Sequence, residues 1–433
     1  MAMDGKELVE KLAKLSQVQS IKDIPQLTHA LFPGTHCPLM GAAMAVGGIK
    51  DSLIVVVGTD ECTYYTKSMN IHSEKFGGID GRCVSVVLDD HDVTFGSAEK
   101  VQEAFKEIIE EYRPQCVFLV TTCVIEIIGD DFDAISEGLS KLYGIPVLPV
   151  HTEHFKCEDH LPGLERTITV CAEMMKSCDC DNSVNLLGQR MGDFATTELY
   201  AMLQKAGVKI GLQLPCGCSV DDIKNAAAAK VNIVVNDIAL PLAQKMQEKF
   251  GIPYVYFNKF VIPEKIYEAY KNLFGYLELE LPEELEGLYQ NAREEIEKNK
   301  GELEGITYIY GNTPYAVFEM NCFLSSLGMV PQVIQTNRYT EADEPYAKEI
   351  LQYTDPYVCK AANIAPLQYV YDILSPYLYL GHEFGNRLRQ KGIAIVHSDR
   401  ASGMLGFEVT GYLLQQLVKS VREAKEYRKE LGL

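Results

Sequence analysis

The sequence predicts an α/β fold built from three doubly wound, Rossmann-like domains with parallel sheets. Along the chain, apolar runs of strand length alternate with amphipathic segments of helix length, which is the pattern of repeated βαβ units. The 433 residues are enough for roughly three domains of ~150 residues each. A hydrophobic fraction of 47% is ordinary for a globular protein.

The first predicted domain covers residues 30–182, and residues 1–29 are predicted to form an N-terminal helical extension. A helix is expected at Ala98–Tyr112, because apolar residues recur there at i, i+3 and i+4 on one face, and Pro114 follows as a stop signal. The expected strands of this domain are Leu53–Val57, Val84–Leu88, Cys116–Val120 and Ile145–Val150.

The second domain is predicted at residues 183–304 and the third at residues 305–433. The acidic run Glu278–Glu304 is interpreted as a solvated helical connector at the end of the second domain. Strands are expected at Ser183–Gly188, Val208–Leu212, Val231–Val235, Tyr254–Phe257, Ile306–Gly311, Val333–Thr336 and Gly392–Val396. Helices are expected at Ala195–Ala206, Val220–Ala229, Pro241–Phe250 and Pro314–Leu327, with a long C-terminal helix from about Phe407.

Three cysteines stand out because of their positions relative to the expected strands. Cys62 and Cys123 each follow a buried apolar run, and Cys37 opens a short motif further upstream. They are too far apart in sequence for a local metal knuckle, but the carboxyl ends of parallel strands share one edge of a sheet. Three thiolates gathered there suit an iron–sulfur cluster, or less often zinc. The alternative is that they are buried structural thiols.

Composition narrows the class of protein. Thirteen cysteines without a secretory hydrophobic segment predict a cytoplasmic protein whose thiols serve metal or redox chemistry rather than disulfides. No apolar run approaches the ~20 residues that cross a bilayer. The net charge of −20 disfavours nucleic acid and anionic membrane surfaces as partners. The nucleotide-binding motifs GxGxxG and GxxxxGK[ST] do not occur in the sequence. If ATP hydrolysis drives the function of this protein, a partner protein hydrolyses the ATP.

Three segments resemble nitrogenase component 1: Cys37–Ala42, Gly58–Tyr65 and Thr121–Asp131. That superfamily includes the molybdenum-iron protein subunits, a cofactor-assembly scaffold and the dark-operating tetrapyrrole reductases. The resemblance implies that Cys37, Cys62 and Cys123 hold an iron–sulfur cluster at a subunit interface, either a [4Fe-4S] cluster or a larger bridging cluster like the P-cluster. It also implies an ATP-dependent iron protein as electron donor, and a homodimer or a heteromer with a related chain.

The resemblance also bears on a second metallocofactor. In the catalytic subunits of the family, one cysteine and one histidine hold it. His397 matches the histidine, but the cysteine position falls at Val235 or Asn236 here, and neither is a thiolate. Dinitrogen reduction on a molybdenum-type cofactor is therefore not expected. Cys216 and Cys218 form a CxC pair that either replaces the missing ligand or only occupies a turn.

Cys157 is a further candidate ligand. It ends the segment His151–Cys157, which resembles the loop beside the bridging cluster in the family, and it could complete a four-thiolate set within one chain. The alternative is a thiol that is merely near the cluster. His397, Asn236, Cys216 and Cys218 are expected to line a cavity between the three domains.

The function predicted first is an iron–sulfur electron-transfer reductase component that accepts electrons from the iron protein and reduces an unidentified substrate. Within the family, the alternative is a cofactor-assembly scaffold that holds a cluster precursor. A different class is a non-catalytic metal-binding or regulatory protein on the same fold. A reductase turns over a small molecule with its ATPase partner, a scaffold loses its cluster to an acceptor, and the third class does neither.

Overall fold

The computed structural model of the protein describes every residue except 1–4, 28–35, 72–78, 80, 158, 191–192, 312, 314 and 361–363. The predicted α/β class with parallel sheets is confirmed, since helices alternate with strands that pair in parallel along almost the whole chain. Among the described residues, no helix combines the length and the apolar character needed to cross a membrane.

The strands of the described residues, in chain order, are β1 (Ala13–Lys14), β2 (Ile49–Lys50), β3 (Ser52–Gly58), β4 (Cys83–Val87), β5 (Cys116–Thr121), β6 (Val147–Val150), β7 (Val184–Gln189), β8 (Ile210–Pro215), β9 (Cys218–Ser219), β10 (Val231–Val234), β11 (Tyr254–Tyr256), β12 (Thr307–Tyr310), β13 (Val330–Gln335), β14 (Tyr357–Cys359), β15 (Leu378–Leu380) and β16 (Ala394–Val396).

The helices of the described residues are α1 (Gly5–Glu10), α2 (Pro38–Gly47), α3 (Asp60–Ile71), α4 (Asp90–Phe95), α5 (Ala98–Tyr112), α6 (Cys123–Ile128), α7 (Phe132–Tyr143), α8 (Leu161–Val170), α9 (Glu198–Lys205), α10 (Val220–Lys224), α11 (Leu240–Phe250), α12 (Pro263–Leu277), α13 (Glu284–Leu303), α14 (Val317–Ser326), α15 (Glu344–Tyr353), α16 (Ile364–Leu374), α17 (Gly385–Arg389) and α18 (Glu408–Leu431).

Three sheets follow one another along the chain and share one winding pattern. Their strand orders are β4-β3-β5-β6, then β11-β10-β7-β8, then β1-β14-β13-β12-β15-β16. In each sheet the strand that comes first in the sequence of the βαβ repeat (β3, β7 or β12) is an internal strand. The next strand in the sequence pairs on one side of it, and a later strand pairs on its other side. Such a reversal creates a topological switch point, and ligands of open α/β folds bind at the carboxyl ends of the strands beside it.

Two short strands connect these units. β2 pairs with β9 in parallel, with Ile49 opposite Cys218, and so joins the first unit to the second. Residues predicted as an N-terminal helical extension contain the short helix α1 and the strand β1, which pairs antiparallel with β14 at the edge of the third sheet.

The sequence pattern and the observed elements agree best where burial is complete. All residues of β3 and β5 are buried, as expected for parallel strands covered on both faces. The helix predicted at Val220–Ala229 is instead the shorter α10 followed by a 3-10 turn at Ala226–Ala228. Pro314, the expected start of a third-domain helix, lies outside the described residues, and the observed helix α14 begins at Val317.

Candidate metal centre

Two of the three predicted cluster thiols lie at the switch point of the first sheet. β3 ends at Gly58 and leads into α3, whose first turn contains Cys62. β5 ends at Thr121 and Cys123 is the first residue of α6. Because β3 and β5 are neighbouring parallel strands, both thiols arise at the same edge of this sheet. The structure therefore places Cys62 and Cys123 where the sequence pattern predicted them.

A glycine allows these two strand ends to approach each other. A Cβ atom built on Gly58 would lie 2.1 Å from Oγ1 of Thr122, far inside van der Waals contact. The same Thr122 hydroxyl donates a hydrogen bond of 2.9 Å to the carbonyl oxygen of Val57. The residue before Cys123 is thereby fixed against the strand that leads to Cys62.

The third thiol reaches the site through a close helix pair. Cys37 precedes α2, and α2 packs against both α3 and α8. A Cβ on Gly41 would lie 1.9 Å from the carbonyl oxygen of His160, and one on Gly163 would lie 1.8 Å from that of Pro38. These two glycines let the helix backbones touch, and this contact sets the position of Cys37.

Electrostatics connect the three thiols. Burial raises the pKa of Cys123, and the negative charges of Cys62 and then Cys37 raise it further. All three side chains are partly buried, and Cys37 and Cys62 pack against the hydrophobic core between α2 and the first sheet. Thiols that influence one another's ionisation gain from a shared cation, which removes the repulsion between thiolates.

The spacing of the thiols favours a cluster over a single ion. Within the described part of the chain, the one group of three metal-ligating side chains whose ligand atoms all lie within 4.8 Å is Asp89, His91 and Asp92. Cys37, Cys62 and Cys123 do not form such a group, so at least one pair of their sulfurs lies more than 4.8 Å apart. A set of soft, separated thiolates fits a polynuclear iron–sulfur cluster.

The acidic group itself carries a cation of the protein. Nζ of Lys100 lies 2.9 Å from a carboxylate oxygen of Asp89 and 2.6 Å from one of Asp92. The hydrogen bond from Lys100 to Asp89 is the largest cause of the lowered pKa of Asp89, which falls to about 2. We interpret this group as a structural ion pair.

Cys157 lies in a loop that Glu126 holds in place. One carboxylate oxygen of Glu126 accepts hydrogen bonds from the Thr152 hydroxyl at 3.1 Å and the Glu153 amide at 2.5 Å, and the other accepts from the His154 amide at 3.2 Å. Since Glu126 belongs to α6, this carboxylate ties the loop before Cys157 to the helix that begins with Cys123.

Two groups lie equally close to the Cys157 thiol: the carbonyl oxygen of Thr152, at 3.7 Å, and the guanidinium of Arg166. Nη1 of Arg166 lies 3.7 Å from Sγ of Cys157. Burial raises the pKa of Cys157, and the charge of Arg166 opposes that rise. Arg166 also forms an ion pair with Glu153 at 2.5 Å. A ligand role for Cys157 stays a prediction, and the structure shows a thiol partnered by a cation.

We expect Glu126→Gln to loosen the 151–157 loop, because an amide cannot accept as many of these hydrogen bonds as a carboxylate. Losing charged hydrogen bonds of this kind costs about 1–3 kcal/mol. Maleimide labelling of Cys157, followed by mass spectrometry, should then be roughly ten- to a hundredfold faster. Glu137→Gln, which removes an exposed ion pair with Lys141, is the matched control and should label at the wild-type rate. If Cys157 is labelled at the wild-type rate in Glu126→Gln as well as in Glu137→Gln, Glu126 does not hold this loop in place.

The second sheet gathers another set of polar side chains at its carboxyl edge. Cys216 follows β8, Arg190 follows β7, Asn236 follows β10 and Lys259 follows β11. The Cys216 thiol donates to the carbonyl oxygen of Arg190 at 3.1 Å. Asn236 accepts from the amide of Ile238 at 3.2 Å. The structure thus puts Cys216 and Asn236 at one sheet edge. That they line a cavity between the three domains stays a prediction.

Cys218 and His397 lie in different surroundings from Cys216. Cys218 belongs to β9 and is buried in the hydrophobic core, where burial raises its pKa to about 12. His397 follows β16 at the edge of the third sheet, its side chain is exposed, and its carbonyl oxygen accepts from the Tyr412 hydroxyl at 3.1 Å. Of the CxC pair, Cys216 is thus the thiol at the sheet edge. Metal binding by Cys216, Cys218 or His397 stays a prediction.

Sequence reasoning missed Glu126, Arg190 and Lys259. Each directly follows a predicted strand or lies in the helix after one, so a systematic reading of polar residues at strand ends would have found them. No sequence pattern predicted the close contacts at Gly41 and Gly163, because these contacts depend on which helices pack together.

The fold and the site together define a class of protein: a three-sheet α/β chain with a thiol-lined switch point suited to a metal cluster. Residues 37–422 match the family model described as "Nitrogenase component 1 type Oxidoreductase". The chain belongs to this family, which confirms the resemblance seen in the sequence.

Named relatives are of two kinds. The chain is 31% identical over 224 residues to the nitrogenase iron-molybdenum cofactor biosynthesis protein NifE of Clostridium pasteurianum, covering 51% of this chain and 49% of that one. NifE of Rippkaea orientalis is 25% identical over 331 residues, covering 73% and 69%. The nitrogenase molybdenum-iron protein alpha chain of Methanosarcina barkeri is 25% identical over 330 residues, covering 72% and 62%. The match thus spans about half the length of the first of these relatives.

A solved structure supports the fold. The structure titled "Nitrogenase Cp1 at pH 6.5" superposes with a TM-score of 0.78 at 15% identity, covering 93% of this chain and 95% of that one. At this identity the likeness shows the shared architecture alone.

Proposed function

We propose that this protein is an assembly scaffold that holds an iron–sulfur cluster on Cys37, Cys62 and Cys123 and passes it to an acceptor protein. The observation that carries the proposal is that Cys62 and Cys123 lie at the first switch point, with Cys37 close enough for its charge to act on Cys123. By resemblance, the cysteine that holds the family's second cofactor falls at Val235 or Asn236 here, and neither is a thiolate. The relatives named as cofactor biosynthesis proteins favour this function over the reductase that the sequence predicted first.

The donor set supports a cluster of iron and sulfide. Three soft, partly buried thiols, with at least one pair of sulfurs more than 4.8 Å apart, fit such a group. When bound, an iron–sulfur cluster supplies one-electron redox chemistry. Cys37, Cys62 and Cys123 would hold the cluster. The close backbone contacts at Gly41, Gly58 and Gly163 fix the segments that carry these thiols, and Glu126 fixes the neighbouring 151–157 loop.

The surface around the thiols supports a partner chain. Tyr64 and Tyr65 follow Cys62, Ile127 lies in the helix after Cys123, and Phe155 lies in the loop before Cys157. These apolar side chains are between 66% and 71% exposed. Large exposed apolar side chains grouped around one site are typical of protein interfaces. We assign this face to a second component 1-type chain, which completes the coordination that three thiols leave open.

An ATP-dependent iron protein is the proposed electron donor during cluster maturation. Neither GxGxxG nor GxxxxGK[ST] occurs in the sequence, so we assign ATP hydrolysis to the partner. This assignment follows from family membership.

The proposal is tested by a transfer experiment. Protein carrying a ⁵⁷Fe-labelled cluster is mixed anaerobically with an apo component 1-type acceptor, and the label is followed by Mössbauer spectroscopy after the two proteins are separated. In parallel, the loaded protein is incubated with an iron protein, ATP and candidate small-molecule substrates.

A scaffold delivers the label to the acceptor and shows no steady turnover. Turnover without transfer would overturn the proposal in favour of the reductase. Neither transfer nor turnover would also overturn it, and would favour the metal-binding or regulatory alternative.

A further inference from the structure

A buried lysine lies at the carboxyl edge of the second sheet. Lys259 follows β11 and is only 9% exposed. Its backbone amide donates to the side chain of Asn258 at 2.8 Å. Among the residues that the structure describes, no carboxylate lies within ion-pair distance of its ammonium group and no side chain bonds to it. A buried charge without a partner is costly, so its retention requires a reason.

A second cation faces the same region. Arg190 follows β7 and is partly buried. Burial lowers the pKa of Arg190, which the charges of Cys216 and Asp159 oppose. Burial first, and then the positive charge of Arg190, lower the pKa of Lys259 to about 8. The two cations therefore repel each other, and in the described part of the chain neither forms an ion pair with a carboxylate.

Two acidic groups nearby have other partners or lie in buried surroundings. Asp237 accepts hydrogen bonds from the hydroxyl of Tyr256 and, at 3.3 Å, from the amide of Asn258. Burial raises the pKa of Glu165, against the charge of Arg338. His160 adds to the positive side, although burial and then Arg190 lower its pKa. Asp159 offsets part of the charge of Arg190, but among the described residues it forms no ion pair with Arg190 or Lys259.

The cations lie beside the switch point of the second sheet. In this sheet β7 and β10 are neighbours, and the chain runs outward from β7 to β8 and, in the opposite direction, from β10 to β11. The crevice therefore opens between the carboxyl ends of β7 and β10, which Arg190 and Asn236 follow. A Cβ on Gly188, which has φ of +100°, would lie 2.9 Å from Cβ of Asn236. The backbone approach at this crevice resembles the one between Gly58 and Thr122 in the first sheet. Open α/β folds bind ligands at such crevices.

We infer that Arg190 and Lys259 form a binding site for an oxyanion group, carboxylate or phosphate, of a small ligand at this second switch point. Arg190 supplies a planar set of donors suited to two oxygens, and Lys259 supplies a point charge. A net charge of −20 repels anions over long distances, so capture of an anion requires local cations of this kind. The inference goes beyond the proposed function, because it does not depend on the thiols of the first sheet.

The test measures the melting temperature of the full chain in malonate, phosphate or neutral malonamide at constant ionic strength. The wild type is compared with Lys259→Met and with Lys419→Met, a control at an exposed lysine of α18. We expect one or both anions to raise the melting temperature of the wild type and of Lys419→Met, malonamide to have no effect, and Lys259→Met to lose the response. Without anion, Lys259→Met should melt no lower than the wild type, because a buried unpaired charge has been removed.

The arms distinguish the source of the oxyanion. A response to malonate alone assigns a carboxylate, a response to phosphate alone assigns a phosphate, and either supports the site. Equal responses in the wild type and Lys259→Met, or no response to either anion, would overturn it.

A second measurement applies if Lys259→Met fails to fold. Amine acetylation of wild-type Lys259 at pH 8, read by mass spectrometry, should slow about tenfold when the effective anion is present at about ten times its Kd. Lys419 should acetylate at an unchanged rate. Equal acetylation of Lys259 with and without anion would contradict the inference.

Discussion

Replacing Cys62 or Cys123 by alanine is expected to remove most of the iron from the anaerobically purified protein. Each residue supplies a thiolate at the first switch point, and no neighbouring thiol of the described chain occupies the same strand end. Iron and acid-labile sulfide are measured per chain, together with the visible absorption of the cluster.

Cys178→Ala is the control for these variants. Cys178 is a free, exposed thiol in the segment between the first and second sheets, so its loss removes a cysteine without touching the switch point. Its iron content should equal that of the wild type. If Cys62→Ala and Cys123→Ala both keep their full iron content, the assignment of the ligands is wrong.

Gly41→Ala and Gly163→Ala are expected to lower both stability and iron content, although neither removes a ligand. The added methyl group would overlap a backbone carbonyl oxygen of the facing helix, and backbone cannot move as a flexible side chain does. Forcing such an overlap costs about 1–3 kcal/mol or more. The helix pair α2–α8 must then separate, which displaces Cys37. Denaturant unfolding and iron analysis measure the two effects.

Gly138→Ala provides the matched comparison. Gly138 lies within α7, and a Cβ there would meet no atom within 4 Å. That variant should keep its iron and gain about 0.5–1 kcal/mol, because alanine favours the helix interior. Wild-type stability and iron content in Gly41→Ala would show that the close helix contact is not needed.

The elements that the sequence predicted well are those with strong local patterns. The helix Ala98–Tyr112 was predicted with the bounds it has, since one apolar face and a following proline mark it. Buried runs such as Cys116–Thr121 were placed within a residue or two. The strands β14 and β15 were not predicted, because three residues are too few to show a period of two.

The candidate site residues also fall into a predictable and an unpredictable group. Cys62 and Cys123 were predictable because each follows a strong strand signal. That Arg190 and Lys259 face one region was not, since it depends on β10 lying between β7 and β11 in the sheet. The order of strands is a property of tertiary packing, and no local pattern in the sequence encodes it. The family resemblance supplied the thiol set but gave no indication of these two cations.

We propose that one iron–sulfur cluster is held by Cys37, Cys62 and Cys123 beside the first switch point. The most direct test of this proposal is the metal and sulfide content of the wild-type protein purified without oxygen, read together with its electron paramagnetic resonance spectrum after reduction. We expect iron and acid-labile sulfide in similar amounts, with a cluster signal that Cys123→Ala lacks. Zinc in place of iron, or no metal with Cys37, Cys62 and Cys123 all free to react with a thiol reagent, would contradict it.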